Sequence, residues 1–577
     1  MRAIWSGPAV LGVCLSLFGA SVIAQTPYRT SAPSPYGASE PPKTEKVPQP
    51  KPKVDPPSIE KLPPPKPEPE TPSDPPVVIE EAVAAPVWTL DMWKKVPHVQ
   101  PAARSGWPIL PPSGPGYYSL RDRIEGKLLD KPPKYPYGSI SLFADSFFNV
   151  DFRFLEDPEN QQTDFFDPWK RWLLTDNLMF STGGEFRYRY MGEANSRLTG
   201  RNNDYHLFRA RTYGDLWFRS KARLYVEFIS ATQAGNELPS LAVDRNNADL
   251  LNLFVDWKLF QEGGVPAYLR VGRQELLLGS QRLVSPIEWA NTRRSFEGFR
   301  WFWHSPEWNV DVFAGRPVIV SPNKFDDRDI NQTFSAFWLT KKLRPGTLRD
   351  FYVLYWSNAR PVLGLNGQRG GQEVTTFGTR WTGDIDGQWL YDFEGMYQTG
   401  NRAFQLISAG AFVTGVGYRA KQHEWNPSFW AYNEWASGTP DPAASTRYGT
   451  FNQLFAFGHY YMGYIDYVGR QNINDFSLQV SANPAKWITS LVQYHHFTLV
   501  EARDALYNLG GGISRRDLAG ASGVFVGQEM DTMVNFHLSS HQDLLLGYSV
   551  FFPGDFIRNT GPGNIGHFFY SQYSVKW

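Results

Sequence analysis

For about 400 residues from Leu178 to Trp577, polar and apolar side chains alternate with a period of two, the spacing that only extended strands turn into two distinct faces. Phe186, Tyr188 and Tyr190 alternate with Glu185, Arg187 and Arg189, and Ala222, Leu224, Val226 and Phe228 alternate with Arg223, Tyr225 and Glu227. The pattern returns in Leu251, Leu253, Val255, Trp257 and Leu259 against Asn252, Asp256 and Lys258, and in Met530, Thr532, Val534 and Phe536 against Glu529, Asp531, Asn535 and His537. A soluble sandwich buries its apolar face against a second sheet. Here the sheet continues without an obvious partner, and aromatics, 15% of the chain, gather near strand ends as in interfacial girdles. Beyond the N-terminus no apolar run approaches the roughly 20 residues that a spanning helix needs. A mean hydropathy of -0.40 suits a transmembrane strand, in which every second residue is polar. The expected fold is all-β: a transmembrane antiparallel β-barrel of about 18 strands, an even number, as single-chain bacterial barrels favour.

The weakest candidate strand, Tyr460 to Val468, lies in a Gly- and Tyr-rich stretch that also reads as a loop. Strands of roughly 9 to 11 residues are expected, with short turns at one end and long loops at the other. Long loops are expected at Gly192 to Tyr205, Thr232 to Ala248, Leu277 to Ser295, Pro361 to Glu373, Gly438 to Asn474 and Ala502 to Gly527.

Ahead of the barrel the chain divides into three. Residues 1–24 read as a secretory signal, with Arg2, an apolar core from Val10 to Ile23 and a small residue at Ala24. Cys14 lies within that core and is the sole cysteine, so the mature chain is expected to have no disulfide and no Cys-based metal site or nucleophile. Residues 25–115 form a Pro-rich segment, typified by PPPKPEPETPSDPP, which has no apolar periodicity and is expected to be a disordered, semi-rigid spacer. Residues 116–176 are expected to be a periplasmic lead-in and residues 177–577 the barrel. Lys+Arg and Asp+Glu are equal at 57 each, so bulk charge does not favour nucleic acid as a partner. Any electrostatic function must come from local placement.

Local placement is strongest between Arg270 and Trp301, where Arg270, Arg273, Arg282, Arg293, Arg294 and Arg300 are interleaved with Glu275, Glu288 and Glu297. The pattern GRQ...G.QRL...P..WANTRRSF.G.R resembles the alginate export family of outer-membrane β-barrels. GGEFRYRY at Gly183 to Tyr190, the stretch Phe451 to Pro484, the patch of Asp504, Ala505, Tyr507 and Gly510 to Gly512, and GYSVFFPGDFI at Gly547 to Ile557 are similar to further parts of that family, so the likeness runs from about Asp151 to Trp577. HFFYSQYSVKW, ending in an aromatic residue, resembles the signal read by the barrel assembly machinery. The resemblance implies an 18-stranded barrel that exports an anionic polysaccharide through a lumen lined by arginines and partly plugged by loops.

The polar strand faces put Arg187, Arg189, Arg209, Arg211, Arg223, Arg270 and Arg300 in the lumen, with Arg273, Arg282, Arg293 and Arg294 on the adjoining strand and loop. A guanidinium stays charged and pairs with a carboxylate through two parallel hydrogen bonds, so these residues are the expected path of an acidic polymer, over and above matching internal charge. Tyr213 and Tyr225 are expected on the inner face, where lumen packing is their first role and a sliding surface for sugar rings a second. His495 and His496 are adjacent and therefore point to opposite faces of a strand, which excludes a shared metal ion. Glu275, Glu288 and Glu297 each lie near an arginine and are expected in ion pairs, not as glycosidase acids. No Ser/His/Asp signature and no phosphate-cradling glycine loop is present, so neither an enzyme nor a cofactor is expected.

The expected function is an outer-membrane channel exporting an anionic, alginate-like exopolysaccharide; the alternative is a porin for uptake of small anionic or sugar solutes. Genes for polymer synthesis beside this one favour the former, and catabolic neighbours the latter. Expected partners are outer-membrane lipids, the polysaccharide, the barrel assembly machinery and, through the Pro-rich segment, a periplasmic scaffold or the cell wall.

Overall fold

A computed structural model describes residues 112–134, 137, 146–157, 160, 164–365 and 367–577. The secretory signal, Cys14 and nearly all of the Pro-rich segment lie outside the described residues.

Alternating residues form strands along the whole of the described C-terminal region. In chain order they are β1 (Leu178–Ala194), β2 (Asn203–Phe218), β3 (Ala222–Ala234), β4 (Asn246–Glu262), β5 (Val265–Gln274) and β6 (Phe296–His304). Next come β7 (Trp308–Ile319), β8 (Gln332–Arg344), β9 (Thr347–Leu363), β10 (Arg369–Ile385), β11 (Trp389–Arg402) and β12 (Gln405–Arg419). The last six are β13 (Ser428–Ala436), β14 (Ile473–Ala485), β15 (Ile488–Leu499), β16 (Phe525–His537), β17 (Gln542–Pro553) and β18 (Gly566–Lys576). Each pairs antiparallel with its neighbours in sequence, and β18 pairs with β1 from Glu185↔Lys576 to Ala194↔His567, closing an 18-strand barrel. Closure leaves no edge with unpaired backbone groups, the condition for a sheet to cross a bilayer.

The two faces separate as the alternation requires. Phe186 is 41% exposed and its neighbour Arg187 is 2% exposed. Phe208, Leu224, Phe228, Val255, Val271 and Phe299 are likewise exposed on the outer, lipid-facing wall, whereas Glu185, Arg209, Arg211, Glu227, Asp256 and Arg270 are buried inside.

At one end the connections are turns such as 219–221, 263–264, 345–346 and 486–487; at the other are the loops 195–202, 235–245, 275–295, 437–472 and 500–524. The expected long loops fall at that second end, but the strands flanking them are longer than expected, and the loop expected at Pro361 to Glu373 shortens to residues 364–368 between β9 and β10. β1, at 17 residues, rises about 58 Å at about 3.4 Å per residue. Even tilted by about 45°, that exceeds an apolar band of about 25 Å, so the wall extends beyond the membrane. Tyr460 to Val468 is not a strand: Gly458–Tyr461 is a helical turn within the loop 437–472.

The seam ends on Trp577, whose N–H donates to the Gly184 carbonyl (3.0 Å) and whose carbonyl accepts from the Gly184 N–H (2.9 Å). A side chain at Gly184 would collide with the Arg211 carbonyl and the Trp577 ring, so the strand pairing requires glycine there. Deleting Trp577 removes two seam hydrogen bonds, each worth about 1 kcal/mol net. The expected result is a lower yield of the compact, heat-modifiable band in unheated electrophoresis and a lower temperature for its conversion to the unfolded band.

Candidate functional site: a plugged, arginine-rich lumen

Because side chains alternate, the inner wall from β1 to β6 is a lattice of arginines, and each guanidinium has a carboxylate or carbonyl within reach. Arg270 is held by Asp256 in two parallel bonds (Nε to Oδ1 2.7 Å, Nη2 to Oδ2 2.9 Å). Arg223 grips Asp215 in the same way (2.7 and 2.8 Å). Arg211 donates to Glu227 (2.7 Å), Arg209 to Glu185 (2.8 Å) and Arg300 to Asp311 (2.9 Å). Burying a charge without a partner costs several kcal/mol, so a close-packed interior of this kind depends on matched pairs.

The loop 275–295 runs into this lattice and completes it. Arg187 donates to the carbonyls of Glu288 (3.0 Å) and Ala290 (2.8 Å), and Arg189 to that of Trp289 (2.7 Å), with its guanidinium 3.6 Å above the Trp289 ring. The Glu288 carboxylate meets Arg209 and Arg293 and lies 3.7 Å from Arg187. Arg293 also pairs with Glu275. On the far side of the lumen Arg282 reaches Asp392 (3.0 Å), Glu394 (3.1 Å) and Glu434 (3.4 Å). Burial alone lowers an arginine's pKa, yet these carboxylates, Asp392 first, hold Arg282 well above its ordinary value. Among the described residues Arg294 donates to the carbonyls of Ser285 and Phe455 and lies over the Phe455 ring, and burial draws it down to about 10.

Two more loops lock the first in place. Tyr461 donates to the Ser280 carbonyl (2.6 Å), Arg470 to the Arg282 carbonyl (3.1 Å) and to Glu434, and His459 stacks on Trp289 at 3.9 Å. Backbone bonds join the loops directly, Phe455 N–H to Leu283 (2.9 Å) and Ser285 N–H to Phe455 (3.0 Å). Thr450 donates to Asp504 in the loop 500–524 (2.6 Å). Glu529 of β16 accepts from the Ile465 N–H (2.8 Å). Together the three loops pack across the long-loop half of the lumen.

The short-turn half is occupied by the chain ahead of the barrel. Phe147 stacks on Tyr213 at 5.3 Å, Phe148 packs edge-on to Tyr225 (5.5 Å) and Phe254 (5.2 Å), and Arg223 donates to the Phe148 carbonyl (2.9 Å). Arg211 and Arg270 lie over the two phenylalanine rings at 4.4 and 4.6 Å. Tyr213 and Tyr225 are therefore covered by this wedge. Phe147 and Phe148 carried no signal in the sequence, because a wedge is defined by what surrounds it and not by any period of its own.

Of the eleven arginines singled out from the sequence, ten come together in the lumen or in its plug. Arg273 takes a different place. It pairs across the sheet with Glu297 in the row of Val271 and Phe299, on the outer wall, and bonds Glu297 (2.9 Å) and Asp249 (3.1 Å). His495 faces inward onto Asp475 (2.8 Å), and His496 lies against Phe525 on the opposite face. Glu275, Glu288 and Glu297 are all ion-paired to arginine, and no cluster of three or more metal-ligating side chains occurs among the described residues.

A closed 18-strand barrel with a lipid-facing apolar wall and a charged lumen defines an outer-membrane channel. The alginate export family model matches residues 179–571, and the chain belongs to that family as a transport channel. No curated protein sequence matches the chain. Among solved structures it is similar to the outer membrane protein OpdK of Pseudomonas aeruginosa (10% identity, TM-score 0.46, covering 69% of this chain and 99% of that one). It is also similar to OpdO (11%, 0.45, 69% and 97%) and OccD3, also called OpdP (9%, 0.45, 68% and 91%), of the same organism.

Replacing residues 277–294 with a short Gly-Ser linker removes the plug's central strand of contacts and leaves the wall's own arginine–carboxylate pairs in place. Conductance in planar bilayers should rise with heat-modifiability retained, and rise further when residues 146–157 and the loop 437–472 are removed as well; an unchanged conductance in that folded, triply shortened barrel contradicts the plug.

Proposed function

We propose that the channel exports an anionic, alginate-like polysaccharide along the arginines Arg187, Arg189, Arg209, Arg211, Arg223, Arg270, Arg282, Arg293, Arg294 and Arg300. One observation carries the reading: the Glu288 carboxylate, in the middle of the plug, occupies a pocket formed by Arg187, Arg209 and Arg293. A uronate carboxylate presents the same two oxygens. Exchanging one carboxylate for another leaves the charge balance of the lumen nearly unchanged, so a passing polymer can displace the plug without stranding a buried charge. Each hold is then weak enough to release, as conduction requires.

On this reading the short-turn end faces the periplasm, and the Pro-rich segment extends there as a spacer toward a scaffold or the cell wall. Residues 1–24 are the export signal, and the C-terminal strand is what the barrel assembly machinery engages. Support for these assignments comes from composition and from the alternation of the last strand.

The test is reversal potential across a salt gradient, with and without a soluble polyuronate on the short-turn side. The expected channel prefers anions, and its preference weakens as the Debye length falls from about 10 Å at 0.1 M to about 3 Å at 1 M salt. Glu288→Gln keeps the shape of the plug and removes its carboxylate, so polyuronate should engage the lumen at about 10-fold lower concentration, while Arg209→Gln should act in the opposite direction. Cation preference in the unmodified channel, or no response to polyuronate in any of the three proteins, contradicts polymer export and favours an uptake porin.

A further inference from the structure

Between the wall and the interlocked loops, on the long-loop side, lies a chamber of about 890 Å³, within the range of ligand sites (roughly 300–1,000 Å³). Its wall consists of inward-facing residues near the outer ends of β8 to β11, and its inner side is made by the loops 437–472 and 500–524. No Asp or Glu lines it, whereas two arginines do, Arg402 and Arg516. That reverses the arrangement deeper in the lumen, where Arg209, Arg211, Arg270 and Arg300 each hold a carboxylate.

Arg402 is the informative residue. Its Nη1 donates to the Gln372 amide oxygen at 2.7 Å, and its guanidinium lies 4.7 Å from the centre of the Tyr448 ring. Its Nε is shielded from water and has no hydrogen-bond partner among the described residues. A buried donor without an acceptor is costly, and in native proteins it calls for an explanation. A carboxylate taken side-on by Nε and one Nη supplies the missing acceptor once the guanidinium turns that edge toward the chamber, in the geometry guanidinium favours. Arg516, by contrast, donates to the Asp504 carbonyl (3.2 Å) and lies 3.7 Å from its carboxylate, so it contributes positive field more than a vacant fork.

The remaining lining suits a sugar. Tyr448 is fixed beside β12 by backbone bonds with Leu406 and Ser408, and Trp356 is fixed by its Nε1–H on Gln332 (2.7 Å). Both offer apolar faces beside amides that donate to and accept from hydroxyls, among them Gln372 and Gln471. We infer that this chamber is an acidic-saccharide subsite at the outer mouth, in which Arg402 takes a uronate carboxylate and Tyr448 and Trp356 flank the ring as the polymer leaves the plugged lumen. The inference deepens the export reading and rests on it for the class of ligand.

The test is a fluorescence-anisotropy titration of the full-length protein in detergent micelles with an end-labelled oligouronate. A carboxyl-reduced oligomer of equal length is the neutral control. Arg402→Gln should weaken binding about 10-fold, Arg402→Lys should recover part of the loss, and the neutral oligomer should bind far less tightly than the acidic one. Heat-modifiability should be the same in all three proteins, since Arg402 holds no carboxylate of the wall. Wild-type affinity in Arg402→Gln overturns the subsite; if Glu288→Gln still shifts binding in that experiment, the lumen path stands without the chamber. Equal binding of the neutral and acidic oligomers, or no binding to the unmodified protein, also overturns the subsite, and the fate of export is then decided separately by reversal potential.

Discussion

Charge matching inside a closed wall is the constraint on which the rest of this molecule depends. A barrel of 18 strands is too wide for its own side chains to fill, and its inner rows from β1 to β6 are crowded with arginine. Wall carboxylates such as Glu185, Glu227, Asp256 and Asp311 answer part of that charge. Glu275, Glu288 and the carbonyls of residues 288–290 answer the rest, and they belong to a loop, not to the wall. The plug is therefore part of the electrostatic solution that lets the wall hold so many guanidinium groups in a packed interior.

The loop conformation follows from the same requirement. Arg282 points away from the arginine-rich wall to Asp392, Glu394 and Glu434, so the loop spans the lumen with an ion-paired anchor on each side. Arg470 shares Glu434 with Arg282 and ties the second loop to the first. Removing one member of such a network leaves its partner buried and unpaired, which costs more than the pair contributes when intact. On the proposed export role, a soluble carboxylate that reaches the plug substitutes for a plug carboxylate without that cost.

Much of the fold was legible in the sequence because a strand's two faces repeat every two residues, so Arg187 between Phe186 and Tyr188 states its own direction. The strand number, most long-loop positions and the pairing of Arg293 with Glu275 and Glu288 followed from that pattern and from the likeness to the family, whereas the partners of Arg282, on strands far along the chain, and the carbonyl partners of Arg294 did not. Contacts that depend on three-dimensional meeting were not legible. Phe147 and Phe148 enter the lumen from a stretch without periodicity, and Tyr213 and Tyr225 are covered as a result. Arg273 stands three residues after Arg270, and a side-chain period of two places it on the opposite face; grouping it by charge density with the lumen arginines overlooked that parity. Arg402 lacked any nearby arginine or motif, and its interest arises only from the cavity it lines and the acceptor it lacks.

If matched charge closes the lumen, residues 281–294 are held within it by the wall arginines. Hydrogen exchange of the full-length protein in detergent resolves this peptide from the wall strands. Amides bonded between loops, such as those of Ser285, Phe455 and Phe457, should exchange as slowly as those of β1 and β2 in the unmodified protein. In Arg187→Gln/Arg209→Gln, which removes both wall guanidinium groups from Glu288, protection should fall across 281–294 while β9 and β10 keep theirs. Fast exchange of 281–294 in the unmodified protein, or the same protection with and without Arg187 and Arg209, would contradict a plug held by matched charge.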